Sequence, residues 1–426
     1  MAARAEERVQ AGEAGRRGDD VRSDLWVRAT LRDSGGLDLQ VRSKVEPYYG
    51  EAIRTQLRAL CATAGVEHAK LELEDQGALP FTIAARVECA LRRAGRDVKP
   101  VLPEPLARAR NPSSKERLRR SRLYLPGNEP KFMVNAFLHG ADGLILDLED
   151  SVAAAEKDAA RLLVRNALRS LDFGGAERMV RINPGEAGLA DLDAIVPQQP
   201  HLILLPKCES PAQVQAVDER ITAILKAHGL EAALWLLPIL ETALGIEMAH
   251  AIANASPRVV GLTIGLEDYT ADLGVERTVG GQESWYARMA LVNAARAAGV
   301  QAIDSVFSDV ADEEALRRSS LEAKALGFEG KGCIHPRQIR VIHEAFAPTS
   351  TEIAKARQIV WAFEDATHRG LGVVSLGTKM IDPPVVKRAQ RSLDLALQLG
   401  LLAPDWREEQ GRLVAAAPTK TKASDE

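Results

Sequence analysis

The chain has no cysteine framework. Its four cysteines, at 61, 89, 208 and 333, are far apart and form no CxxC pair. That excludes a zinc ribbon and gives a disulfide scaffold little to build on, so a reducing cytoplasm is the expected setting. Long apolar runs are missing too, none approaching the ~18 residues needed to cross a bilayer. The opening "MAARAEERVQAGEAGRRGDD" lacks an apolar h-region and mixes arginine with acidic residues, against both a secretory signal and a transit peptide. Nor does one sign of charge dominate: a formal net charge of −4 over 426 residues gives neither nucleic acid nor a membrane surface a reason to bind.

What is present is a globular composition, 46% hydrophobic and 27% charged, in a chain long enough for one large domain and a smaller one. Residues 1–20 and the closing "LVAAAPTKTKASDE" are polar or low in complexity and read as disordered ends, the latter within a polar tail over 405–426. Between 96 and 118, prolines, basic residues and serines follow one another without a period, as in a semi-rigid linker. Residues 21–95 show strand alternation in "DLWVRATL", "GLDLQVRS" and "AKLELED", and amphipathic helices in "YGEAIRTQLRALCATAG" and "FTIAARVECALRRAG". They predict a small α+β module without the look of a catalytic site.

From 119 to 345, short apolar strands alternate with helical patterns. The strands are "SRLYLPG", "GLILDLED", "RMVRINP", "HLILLPKCE", "LWLLPILET", "VVGLTIGLED", "VQAIDSVFSD" and "GKGCIHP". Eight such units predict an α/β fold of the (β/α)₈ TIM-barrel type. A doubly wound open sheet is the alternative, but "LPGNEPKF" is no glycine-rich phosphate fingerprint. Residues 346–404 read as a C-terminal helical extension or lid.

Nearly every strand runs into polar residues where its apolar part stops. These are Asn128 and Lys131, then Asp147, Glu149 and Asp150, then Arg181 and Asn183, Lys207, Glu241, Glu267 and Asp268, Asp304, and His335. One strand-end carboxylate is most often a helix cap. Eight strands ending alike place a constellation on the C-terminal rim of a barrel, where active sites are built. Acids with Arg181 and Lys207 as counterweights suit a hard divalent cation that holds an anionic substrate. Cys208 and Cys333 also fall beside strand ends, but no His and Asn/Asp partners support a thiol nucleophile.

From "RSRLYLPGNEPKF" and "ADGLILDLEDSVAAAEKDAAR" through "VRINP", "LLPK", "ILETALG", "IGLEDYTADLG" and "GFEGKGCIHPRQI" to "GVVSLGTKMIDPPVV", the chain resembles the citrate lyase β-subunit family. Malyl-CoA and citramalyl-CoA lyases are among its relatives, within the HpcH/HpaI aldolase superfamily. The N-terminal module, "LDLQVRSKVEPYYGEAIRTQL" to "DQGALPFTIAARVECALRRA", is similar to the citrate lyase γ-subunit, an acyl carrier. The resemblance implies a Mg²⁺-dependent (or Mn²⁺-dependent) carbon–carbon lyase acting on a citryl, citramalyl or malyl thioester. The acyl group would ride on CoA or on a phosphoribosyl-dephospho-CoA arm. Ser23 is the possible attachment point for that arm, although Arg22 stands where the family's serine falls. A homotrimer and a citrate lyase α-like transferase partner are implied as well.

Carried over by motif, Glu241 and Asp268 would bind the metal, with a pair of helix caps as the plainer reading. Arg181 would face the substrate carboxylate or the developing enolate, or else brace the barrel against "DLED". Asp147, Glu149 and Asp150 would form an outer shell around the metal waters and Arg181. Lys131, Lys157 and Arg161 are candidates for the phosphates of a CoA-like arm, against solvated surface charges. Lys207 suggests a thioester or phosphate contact, with a Schiff-base aldolase as the rival. The resemblance gives Asp382 a catalytic role in a neighbouring subunit's site; otherwise it is an N-cap before "PPVV". Two other functions stay open: a class II metal-dependent aldolase acting on free hydroxy-keto acids, and a non-catalytic assembly subunit.

Overall fold

The computed structural model describes residues 10–107, 111–368, 370, 374–376 and 379–416. Met1–Ile342 form one compact unit and His343–Glu426 a second.

The first unit opens with strands β1 (Ala11–Gly15), β2 (Leu25–Leu31) and β3 (Leu37–Ser43), helix α1 (Glu46–Ala64), strand β4 (Ala69–Asp75) and helix α2 (Pro80–Arg93). The sheet order is β1-β2-β4-β3, with β3 parallel to β4 and the other pairs antiparallel. Alternation works as the sequence suggests: Leu25, Val27 and Ala29 on β2 and Leu71 and Leu73 on β4 are buried.

Strand β1 corrects the reading of residues 1–20 as disordered; residues 1–9 lie outside the described residues. "AGEAG" has no β-branched or aromatic residue to announce a strand. Its small residues are instead a packing requirement, since a Cβ at Gly12 would lie 2.4 Å from the Ala90 carbonyl oxygen on α2.

Every residue of α2 from Phe81 to Leu91 is buried, because α2 lies between this sheet and the helix Lys157–Ser170. Within that contact Glu88 pairs with Arg165 at 2.7 Å and accepts the Val101 N–H at 2.7 Å. The start of the segment read as a linker is therefore held down, with Val98 and Val101 buried.

Eight parallel strands then close a barrel: β5 (Ser121–Pro126), β6 (Gly143–Asp147), β7 (Glu177–Arg181), β8 (Leu202–Leu205), β9 (Trp235–Leu240), β10 (Gly261–Ile264), β11 (Gln301–Asp304) and β12 (Gly330–Cys333). Closure between β12 and β5 rules out the open doubly wound sheet. Ile145, Met179, Leu202, Leu204, Leu237 and Ile239 form an apolar cluster with Tyr124 packed against it. Among the described residues no helix is long and apolar enough to cross a membrane.

His201 precedes β8 with its ring almost inside the protein. Nδ1 accepts the Arg178 N–H at 3.0 Å, while Nε2 donates to the Asn111 carbonyl. Burial, aided by the Arg178 charge, pushes its pKa from 6.5 down to about 4. Between these values the unfolded chain binds the proton and the folded chain does not, so stability falls as pH drops through that window. Urea unfolding of wild type should lose on the order of 2–3 kcal/mol more than His201→Gln over that range. Parallel pH profiles would refute this.

The second unit buries Ile359, Val360, Leu393, Ala396 and Trp406 in its own core. Its helices include Ser350–His368, Pro383–Gln398 and Trp406–Ala416. The last corrects the reading of 405–426 as a polar tail: Trp406 is 1% exposed, anchoring a segment whose polar composition hid it. Residues 417–426 lie outside the described residues, as do Gly377 and Thr378 of "GTKMIDPPVV". Asp382 caps Pro383–Gln398, its carboxylate accepting the Val385 N–H at 3.1 Å.

Candidate active site

Strand register builds the site's electrostatic centre. Asp147 and Arg181 are direct partners at the C-terminal ends of β6 and β7. Arg181 Nε and Nη2 each donate to Asp147 at 2.7 Å, a bidentate pair. Arg181 Nη1 also lies 2.7 Å from Glu149 and 3.1 Å from Asp150, and the guanidinium sits over the Tyr124 ring. Lys207 Nζ contacts Glu149 at 2.6 Å and reaches toward Asp150 and Asp268 at 3.6 and 4.0 Å. The three acids of "DLED" are thus tied together by two cations. Burial works to raise the Asp147 pKa, and the Arg181 guanidinium more than reverses it, leaving it below the ordinary carboxylate value.

This network borders a cavity of about 370 Å³ lined by Tyr124, Asp147, Arg181, Glu241, Asp268 and others. Glu241 follows β9 and is 3% exposed. Its Oε1 accepts the Lys207 N–H at 2.6 Å, an arrangement that holds Lys207 at φ +49°, a strained value for a residue with a side chain. Gly265 makes room from the neighbouring strand end, since a Cβ there would lie 2.5 Å from Glu241 Oε2. Asp268 stands in the first turn of the helix Leu266–Leu273, with its side chain 46% exposed. Burial first, then the nearby Asp268 carboxylate, pushes the Glu241 pKa up to about 8 against the Lys207 N–H. Glu267, also on the cavity wall, pairs with Arg277 at 2.6 Å.

Glu241 and Asp268 fit a magnesium ion. Glu241 is a buried carboxylate whose charge is held back by burial and by a second acid, the environment that a hard cation relieves. Among the described residues no cluster of three or more His, Cys, Asp or Glu side chains could hold a metal. A two-carboxylate site leaves the remaining positions to water and substrate, as magnesium prefers.

Several candidates prove committed elsewhere. Lys157 curls back to donate to the Leu148 carbonyl at 2.7 Å and to the Glu149 carbonyl, so it braces the acidic loop. Arg161 pairs with Asp191 at 2.6 Å. Lys131 is exposed, 3.5 Å from Glu129 and over the Phe132 ring. The acids beside Lys207, led by Glu149, hold its pKa above the ordinary lysine value despite partial burial, opposite to what a Schiff-base nucleophile needs. Burial pushes the Cys208 and Cys333 thiols up to about 12, which disposes of a thiolate. Asp304 is bound to Lys331 at 2.6 Å and to Arg288.

Ser23 has φ +55°, and beside it the buried Asp24 accepts from Arg86 at 3.0 and 2.9 Å. Arg86 also donates to the Asn128 carbonyl at 2.9 Å, fastening this turn to the loop after β5. Arg122 and Thr263, which no motif singled out, line the cavity from inside strands. A cation within the apolar alternation of "SRLYLP" was the available signal.

Comparison with known proteins identifies the family of both parts of the chain. Residues 120–336 match the HpcH/HpaI aldolase/citrate lyase family, and residues 17–94 match the acyl-carrier family described as malonate decarboxylase delta subunit. The citrate lyase subunit beta of Haemophilus influenzae is 43% identical over 283 residues, covering 66% of this chain and 97% of that protein. The mitochondrial citramalyl-CoA lyase of Rattus norvegicus is 37% identical, covering 66% of this chain and 87% of that one. A crystal structure of protein CitE from Mycobacterium tuberculosis, in complex with magnesium, acetoacetate and coenzyme A, is 32% identical. Its TM-score is 0.55, covering 66% of this chain and 99% of that one. With a barrel matched over its whole length and a strand-end site of this composition, the chain belongs to the HpcH/HpaI aldolase/citrate lyase family.

Proposed function

We propose that the barrel is a magnesium-dependent carbon–carbon lyase that cleaves a β-hydroxy acyl thioester to an oxo-acid and an acetyl thioester. The observation that carries this is buried Glu241 beside Asp268 in the cavity that Arg181 lines. The relative solved with magnesium and coenzyme A supports it.

Glu241 and Asp268 would hold the metal. When bound, magnesium supplies Lewis acidity to the hydroxyl and carboxylate oxygens of the departing oxo-acid. The hydroxyl gives up its proton to water at the cavity mouth, where Asp150 and Asp268 are exposed. The carbon–carbon bond then parts, its electron pair moving to the acetyl carbon as an enolate. Arg181 offsets that charge, positioned by its bidentate grip on Asp147. Asp382 of a neighbouring copy returns a proton to the enolate carbon, so the working form is a homo-oligomer, a trimer by family resemblance. The thioester is carried on free CoA, with Ser23 unmodified and Lys131 the phosphate contact still exposed. The protein works in the cytoplasm, in line with four buried free cysteines, and an α-like transferase is its candidate partner.

A cleavage assay on citryl-, citramalyl- and malyl-CoA tests the reading. EDTA should abolish acetyl-CoA release, and borohydride with substrate should leave the protein unlabelled. Asp382→Asn, which keeps the helix cap, should cost about 10²- to 10⁴-fold in kcat. Turnover that survives EDTA, with borohydride labelling at Lys207, would replace the metal lyase with a Schiff-base aldolase. Cleavage of free hydroxy-keto acids without CoA would favour the class II aldolase.

A further inference from the structure

Arg122 lies near the start of β5, well below the rim that the strand reaches at Pro126, and is 1% exposed. Its Nη2 donates to Thr263 Oγ1 on β10 at 2.9 Å. Among the described residues its Nε and Nη1 have no hydrogen-bond partner. Both Arg122 and Thr263 line the cavity that holds Glu241 and Asp268.

Most other buried cations of this unit are neutralised at contact distance; Arg178, whose side chain donates to the Gln199 carbonyl, also lacks an acid but does not line this cavity. Arg119 meets Glu177 at 2.7 Å, Arg165 meets Glu88 at 2.7 Å, and Lys331 meets Asp304 at 2.6 Å. Arg122 has a hydroxyl instead. Burial works against its charge, yet a guanidinium stays protonated in proteins. An uncompensated charge with two free donors, lining a cavity, is a site prepared for an anion.

We infer that Arg122, anchored by Thr263, forms a carboxylate subsite inside the barrel that selects substrates bearing a carboxymethyl group on the hydroxyl carbon. This rests on the lyase reading and narrows it. The three thioesters differ at that carbon, which carries carboxymethyl in the citryl, methyl in the citramalyl and hydrogen in the malyl compound. A carboxymethyl group can answer Arg122 with charge-assisted hydrogen bonds. Methyl or hydrogen leaves both donors without a partner, which penalises binding. Arg122 is thus a specificity-determining residue, and the preferred product is a dicarboxylic oxo-acid.

The test measures kcat/KM of the full chain with Mg²⁺ on citryl-CoA and citramalyl-CoA, for wild type and Arg122→Met. Wild type should favour citryl-CoA. The substitution should lower kcat/KM for citryl-CoA by about 10- to 100-fold while leaving citramalyl-CoA within about 3-fold. Its melting temperature should not fall, since an unpaired buried charge is exchanged for an apolar chain of similar length. Equal losses on both substrates, or an unchanged ratio, would assign Arg122 to barrel packing or bound water and overturn the inference. If Arg122→Met does not fold, Thr263→Val carries the same comparison. If neither thioester is cleaved, the lyase reading fails on its own. Calorimetry with oxaloacetate and pyruvate then decides the subsite: a preference for oxaloacetate that Arg122→Met removes sustains it, and equal binding by wild type overturns it.

Discussion

A Glu241→Gln protein is expected to lose about 10³-fold in turnover, ~4 kcal/mol of barrier, while its metal-free form stays at least as stable as wild type. The two effects diverge for one physical reason. Glu241 is buried beside Asp268, so in the absence of a cation its ionised form is disfavoured, and its pKa stands near 8. Glutamine removes that conflict and keeps an oxygen to accept the Lys207 N–H now donated to Oε1 at 2.6 Å. It also removes the negative charge that would hold magnesium. Activity and thermal melting, measured on the same preparation without metal, check the claim. A large loss of stability alongside activity would make Glu241 a structural residue. Such an exchange of stability for function is common where a site concentrates like charges.

Replacing Arg181 should do the reverse and harm both properties. Asp147 is 1% exposed and relies on the bidentate guanidinium, and Glu149 lies 2.7 Å from the same group. Arg181→Met leaves buried Asp147 uncompensated and Glu149 with Lys207 alone, at a cost of about 3–5 kcal/mol in unfolding free energy. It also takes away the cation proposed to offset the enolate, for a further expected loss of about 10²- to 10³-fold in kcat/KM. Adding Asp147→Asn to Arg181→Met separates the roles: stability should recover in denaturant unfolding while activity does not. Recovery of both would remove Arg181 from the chemistry and leave it a brace.

The barrel was legible because its strands are buried on both faces and end abruptly in polar residues. "GLILDLED" and "LWLLPILET" announce both a strand and the rim above it. Strand β1 was not legible, because glycine and alanine in "AGEAG" are chosen for close approach to α2 and not for strand propensity. The helix Trp406–Ala416 was hidden for a related reason: one tryptophan inserted into a core fixes a segment of polar composition.

At the site, residue types were legible and their partners were not. Asp147 and Arg181 are 34 residues apart in sequence and meet because β6 and β7 align them. Lys157 and Arg161 read as phosphate ligands since nothing in the sequence tells that the Lys157 side chain reaches back to the Leu148 carbonyl and that Arg161 meets Asp191. Arg122 escaped because an inward position in a strand shows its meaning only once the barrel has closed around it.

The central claim is that Glu241 and Asp268 together hold the divalent ion. Crystals soaked in Mn²⁺ test it most directly through the metal's anomalous scattering. The account predicts one peak about 2.1 Å from a carboxylate oxygen of each residue, lost in Glu241→Gln crystals. A peak held by Asp147, Glu149 and Asp150 with Glu241 unligated, or none at saturating metal, would contradict it.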